Sequence, residues 1–163
     1  MHSKPLFLKR AFTLVELLVV IAILAVLTGI VVVAINPQKQ LAKSRDTRRI
    51  ADVGVLVTAI QEYNFKEGSY PDYLDVTRVS NIVVPGGNLY SAASSWIFTD
   101  MSDYLPKMVV DPINTGDFIY RYRHNSIDFE VDAKFEIFTD KQMTDGGNNN
   151  NRYELGSDLT ILD

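Results

Sequence analysis

Residues 17–35 read LLVVIAILAVLTGIVVVAI, nineteen positions without a charge. At about 1.5 Å per residue, a helix of that length nearly matches a hydrocarbon core of about 30 Å. Lys4, Lys9 and Arg10 precede the run. By the positive-inside rule that end stays in the cytoplasm, and everything after Asn36 is exported. A secretory signal peptide has an apolar stretch of about 7 to 15 residues followed by a small-residue cleavage site. Here the stretch is longer and leads into a polar, helical pattern. The small residue, Ala11, lies on the other side, between the basic leader and the apolar run.

Glu16 stands at the edge of this run. A carboxylate in an apolar span costs roughly 2.5 to 3.5 kcal/mol on insertion scales and is usually retained for a partner. That partner has to be a cation. The competing reading is that Glu16, near the cytoplasmic edge, snorkels into the headgroups.

The chain has 163 residues, 47% hydrophobic and 10% aromatic, enough for one compact domain plus an extension. Its net charge is −4; without the three basic residues of the leader, 13 basic residues face 20 acidic ones, net −7. Outside the leader no basic stripe exists except the short Arg45 to Arg49 cluster, which contains Asp46, so the charge pattern argues against nucleic-acid binding. There is no cysteine, which excludes disulfide staples, thiol redox chemistry and thiolate metal sites.

The stretch Lys9-Arg10-Ala11-Phe12-Thr13-Leu14-Val15-Glu16 resembles the prepilin cleavage motif, in which basic residues and a small residue precede a new amino-terminal Phe and a Glu four positions on. The resemblance to the type IV pilin and type II secretion pseudopilin family implies that a prepilin peptidase cuts between Ala11 and Phe12 on the cytoplasmic side. It implies that the new amine of Phe12 is methylated, and that Glu16 pairs with the amine of a neighbouring subunit during assembly. In a low-dielectric setting that attraction is large enough to register one subunit against another. The family most often has Gly before the cut, where this chain has Ala11; Ala is small enough for slower or equal processing. Residues 45–52 (RDTRRIAD), 67–71 (EGSYP), 104–107 (YLPK) and 111–114 (DPIN) also resemble pseudopilin segments after the anchor, the last two being where such proteins place a short helix and a turn before the sheet.

Beyond the span, Asn36-Pro37 interrupts the apolar run, and Pro37 predicts a kink in a helix that continues. Leu41, Ile50, Val53, Leu56, Val57, Ile60 and Tyr63 recur at three- and four-residue intervals, an amphipathic helix whose charges read as a solvated face, with Arg48 and Arg49 both placed to pair with Asp52. Gly68 is the expected stop. Residues 72–95 carry little periodicity, and Pro85-Gly86-Gly87-Asn88 is turn chemistry. Residues 96–105 predict a short helix that packs Trp96 into the core. Residues 118–123 and 128–136 alternate apolar with charged positions and predict a hairpin buried on one face, with a third strand near 159–162. Its carboxylates Glu130, Asp132 and Glu136 would then face solvent or a neighbour, and His124 would be an exposed turn residue.

Asp145-Gly146-Gly147-Asn148-Asn149-Asn150-Asn151, with Asp158 nearby, offers hard oxygen ligands, so Asp145, Asn148, Asn150 and Asp158 are candidate calcium ligands. The spacing is not that of an EF-hand, because the twelfth position from Asp145 is Gly156. A flexible Asn-rich loop is the competing reading. Major type II pseudopilins hold calcium in this region, which is what the resemblance adds. No motif for catalysis is present.

The expected fold is α+β: a long amino-terminal helix, transmembrane then amphipathic, packed on a small antiparallel sheet, pilin-like. The expected domains are a leader (1–11), a hydrophobic helix (12–36), its amphipathic continuation (37–68) and a globular part with the sheet (69–163). The expected function is a non-enzymatic subunit of a type IV pilus or pseudopilus. It would sit N-in, C-out in the cytoplasmic membrane and then in the filament outside the cell. The partners so implied are prepilin peptidase, like subunits in a helical polymer, the membrane assembly platform and the membrane itself. A signal-anchored extracellular binding or enzyme domain explains the span too, but leaves the arrangement of Ala11, Phe12 and Glu16 as coincidence.

Overall fold

A computed structural model describes residues 12–163; the leader, with Ala11, lies outside them. The chain divides between Gln40 and Leu41 into two units.

The first unit holds helix α1, Leu14–Ile35, and the first residues of helix α2, Pro37–Glu67. The expected kink at Pro37 is instead a break between two helices. Asn36 takes a left-handed conformation (φ 47°, ψ 79°), which Asn tolerates better than most residues, and so ends α1. Its side-chain oxygen accepts the Lys39 N–H at 3.3 Å. Pro37 then occupies the first position of α2, where a missing N–H costs nothing.

In the second unit, α2 buries Ala42, Asp46, Arg49, Val53, Leu56, Val57, Ala59 and Ile60, residues three or four apart on one face. Gly68 ends the helix at φ 73°, with its N–H on the Asn64 carbonyl at 2.9 Å. The four-stranded antiparallel sheet runs in the order β1 (Arg78–Val79), β2 (Arg121–His124), β3 (Phe129–Ala133) and β4 (Tyr153–Gly156). Its inner face contributes Tyr122, Phe129, Val131 and Ala133 to a core shared with α2 and with Trp96, Ile97, Met101, Leu105 and Met108.

The hairpin of β2 and β3 forms within the alternating stretches but is shorter than expected: β2 begins at Arg121 rather than 118, and β3 ends at Ala133 rather than 136, so Glu136 lies beyond it. Asn125 caps the turn by accepting the N–H groups of Ile127 and Asp128 at 2.8 and 2.7 Å. His124 is not exposed: it is the last residue of β2, buried, and its ring lies 5.8 Å from that of Tyr70 and 5.9 Å from that of Tyr122. Trp96 is core, as expected, with Nε1 donating to the Val109 carbonyl at 2.9 Å. The helix expected over 96–105 is replaced by turns. Asp100 accepts the Ser102 N–H and hydroxyl at 2.9 and 2.6 Å, a local alternative to helical bonding.

The remaining strand is β4 rather than 159–162. The N–H groups of Ile161 and Leu162 are taken by the Glu130 carboxylate at 2.9 and 2.8 Å and are lost to any ladder. The segment holding them covers the outer face of the sheet, so every residue of β3 is buried and Glu130 and Asp132 do not meet solvent. A short helix, α3 (Thr139–Met143), precedes the Asn-rich loop.

Candidate functional site

Helix α1 offers apolar side chains on every side. Its window Leu14–Val31 is long and apolar enough to cross a membrane, and none of it is buried. Amphipathic helices carry one apolar stripe, whereas a helix apolar all round needs lipid or other protein on every side. Thr28 leaves no free hydroxyl donor in this run, because its Oγ1 donates to the Leu24 carbonyl at 2.7 Å.

The start of α1 is built by two residues that bond each other. Thr13 is the cap; its Oγ1 accepts the Glu16 N–H at 3.2 Å. Glu16 reaches back with Oε2 to accept the Thr13 N–H at 3.0 Å and the Thr13 hydroxyl at 2.9 Å. This is a capping box, which satisfies donors that a helix start would otherwise leave bare. Phe12, 82% exposed, precedes it directly. An amine at Phe12 would therefore lie one residue from the cap that holds the Glu16 carboxylate. The pattern Thr-x-x-Glu is a recognised start signal, so the role of Thr13 was available from the sequence.

Of the four candidate calcium ligands, Asp145, Asn148 and Asn150 lie in the loop between α3 and β4, and Asp158 follows β4. Both oxygens of Asp145 accept backbone N–H groups, from Gly147 at 2.9 Å and Glu154 at 2.8 Å. Asp158 accepts the Thr160 N–H and hydroxyl at 3.1 and 2.8 Å. Asn148 and Asn150 line a groove with Asn149, Asn151 and Asp163. Among the described residues no group of three or more His, Asp or Glu side chains is arranged to hold a metal.

A buried charge network joins α2 to the loops around it. Arg48 pairs with Asp52 at 3.3 Å as its spacing requires, but Arg49 points inward. Arg49 grips Asp111 with two parallel bonds of 2.6 and 2.9 Å, and its third nitrogen donates to Asp46 and Glu136, both at 2.8 Å. Asp46 accepts the N–H groups of Glu136, Ile137 and Phe138 at 2.9, 2.7 and 3.0 Å, tying the chain after β3 to the helix. Arg49 and Asp46 are both fully buried. The amphipathic pattern reads them as surface charges, because nothing local marks a partner 62 or 87 positions away.

Hydrogen bonding from Arg45, opposed in part by burial and reinforced by Arg49, holds Glu136 down at about 2 against an ordinary 4.5. A carboxylate shifted downward contributes stability above its ordinary value, and that stability is lost as pH falls towards the folded value. The melting temperature is therefore expected to drop between about pH 4.5 and 2. Glu136→Gln should flatten that slope in thermal melts followed by circular dichroism; an unchanged slope would show that other carboxylates set the acid limit.

Residues 7–32 match a family model described as the prokaryotic N-terminal methylation motif. Neither curated proteins nor solved structures gave a match to the chain. The matched stretch covers the end of the leader, the Thr13–Glu16 box and most of α1, and it is the signature of type IV pilins and pseudopilins.

Proposed function

We propose that this chain is a structural subunit of a type IV pilus or of a type II secretion-like pseudopilus. A prepilin peptidase cuts between Ala11 and Phe12, the Phe12 amine is methylated, and α1 carries the subunit from the membrane into a helical filament. The observation that carries this reading is the methylation-motif match lying on a helix that is apolar and exposed on all sides. Before assembly the helix spans the membrane, with the basic leader in the cytoplasm and the sheet unit outside. In the filament, lipid around α1 is replaced by the helices of other subunits, and Glu16 meets the Phe12 amine of a neighbour. The acidic chain and the exposed apolar helix support a structural subunit.

The test is the intact mass and amino-terminal sequence of the protein recovered from membranes of cells with and without a prepilin peptidase. A peptidase-dependent start at Phe12, carrying a methyl group, is the expected result. An unprocessed chain in both strains would overturn the proposal and leave a membrane-anchored monomer as the better reading.

A further inference from the structure

Two acidic side chains lie together on the outer face of the sheet. In the register of β3 and β4, Glu130 faces Gly156 and Asp132 faces Glu154, so Glu130 and Glu154 are diagonal neighbours on one face. Gly156 lies across from Glu130, and a Cβ there would collide with the backbone of Phe129 and Glu130. Glu130 is 0% exposed and Glu154 1%.

One oxygen of each is in use: Glu130 Oε2 accepts the N–H groups of Ile161 and Leu162, and Glu154 Oε2 accepts that of Asn149 at 2.9 Å. The other oxygen of each, Oε1, is buried with no donor from elsewhere in the protein. The two bare oxygens thus belong to diagonal neighbours on one buried face.

The arginines around the pair make their hydrogen bonds to other groups. Arg121 is bound to Asp132 at 2.9 and 2.5 Å and to the Asp163 carbonyl at 2.8 Å. Arg152 places Nε 2.7 Å from Asp132, out of line for a hydrogen bond, and donates to the carbonyls of Asp117 and Ile119 at 3.1 and 2.6 Å. Arg123, opposite Glu130 on β2, keeps a buried Nε without a partner and reaches with Nη2 towards Asp75 at 3.5 Å. Asp145 adds a negative charge beside Glu154. Two bare carboxylates in contact and out of water cannot both ionise without a large penalty, and a single proton between them removes it.

We propose that Glu130 is protonated and donates to Glu154, and that this shared proton clasps residues 157–163 and the Asn-rich loop onto the sheet, tightly in acid and more loosely in alkali. Glu130 holds the tail through Ile161 and Leu162, while Glu154 holds the loop through Asn149. The proton joins the two anchors. Burial first, and then Glu154, push the Glu130 carboxyl up to about 8. Once the clasp opens, Glu130 meets water and returns to an ordinary value near 4.5. A group raised in the closed state stabilises that state fully below its open-state value and loses the contribution as pH rises to the closed-state value. The clasp is strongest below about pH 4.5, weakens up to about pH 8 and changes little above.

The experiment uses the full chain in detergent micelles. Amide exchange of Ile161 and Leu162 is measured from pH 5 to 9 and corrected for the intrinsic rate, with Val131 in the β3 ladder as a control. The opening equilibrium of Ile161 and Leu162 is expected to rise about tenfold per pH unit up to about pH 8 and then level off. Glu130→Gln should remove this dependence while preserving the clasp, because its amide N–H replaces the shared proton and its carbonyl still accepts from Ile161 and Leu162. Wild-type opening that ignores pH, or the same slope in Glu130→Gln, overturns the proposal. A carbon-13 titration of the Glu130 carboxyl gives an independent reading: neutral at pH 6 supports it, and ionised at pH 6, with or without added calcium, overturns it.

Discussion

Glu16→Gln is expected to leave the protein inserted in the membrane and processed at Phe12, yet to reduce filament yield on the order of a hundredfold or more. This variant separates two roles of one side chain. The Gln carbonyl can still accept the Thr13 N–H and hydroxyl that Glu16 Oε2 accepts now, so the start of α1 survives. What it loses is the negative charge. If that charge meets the Phe12 amine of a neighbour away from water, removing one partner of the pair costs about 3 to 5 kcal/mol at each contact. A filament repeats the contact at every subunit, so the loss is compounded. Glu16→Ala removes the charge and also the carboxylate that accepts the Thr13 N–H and hydroxyl, leaving only the Thr13 half of the capping box. Filaments counted by electron microscopy, beside a processing assay on the same cells, distinguish the cases. Normal assembly of Glu16→Gln with poor assembly of Glu16→Ala would assign Glu16 to capping and sink the charge-pairing role.

The second large effect lies in the sheet-bearing unit. Arg49→Leu should cost about 3 to 5 kcal/mol, because Asp111 and Asp46 would be left buried with no cation and Glu136 would keep Arg45 alone. For a unit of this size that corresponds to a melting temperature lower by about 12 to 20 °C. Bonds to Asp111, Glu136 and Asp46 raise the Arg49 pKa despite its burial, so the guanidinium does not escape the problem by losing its proton. Lys at this position keeps the charge but not the fork that spans both Asp111 oxygens, and should fall in between. The adjacent Arg48→Ala is the control. Its pair with Asp52 is exposed on the arginine side, 55%, and pairs of that kind contribute about 0.5 kcal/mol or less. Melts of both variants in the same detergent would decide the matter. An Arg49→Leu protein within 1 kcal/mol of wild type would mean that the network contributes little to stability.

Glu136 and Glu130 push the acid response of this unit in opposite directions. Losing the Glu136 carboxylate weakens the tie between α2 and the chain after β3, whereas acid preserves the proton that Glu130 needs. The physical difference is the neighbour: arginines face Glu136, and another acid faces Glu130. Sequence alternation predicts a strand position for both, although Glu136 lies beyond the end of β3, and gives no sign of either neighbour.

What the sequence determined by itself is what neighbouring positions can express. The uncharged run marks α1, the three- and four-residue spacing marks α2, Gly68 stops it, and Asn125 turns the hairpin, because each signal acts within a few residues of itself. The motif around Phe12 and Glu16 is legible for the same reason, and the Thr13 cap lay in plain reach beside it. Only the tertiary structure decided the rest. It turned Arg49 inward to Asp111, buried His124 at the end of β2, chose Tyr153–Gly156 over 159–162 as the last strand, and covered the outer face of the sheet so that Glu130 and Glu154 meet. Those outcomes depend on which distant groups compete for a backbone N–H or a buried charge, and that competition exists only once the chain has folded back on itself.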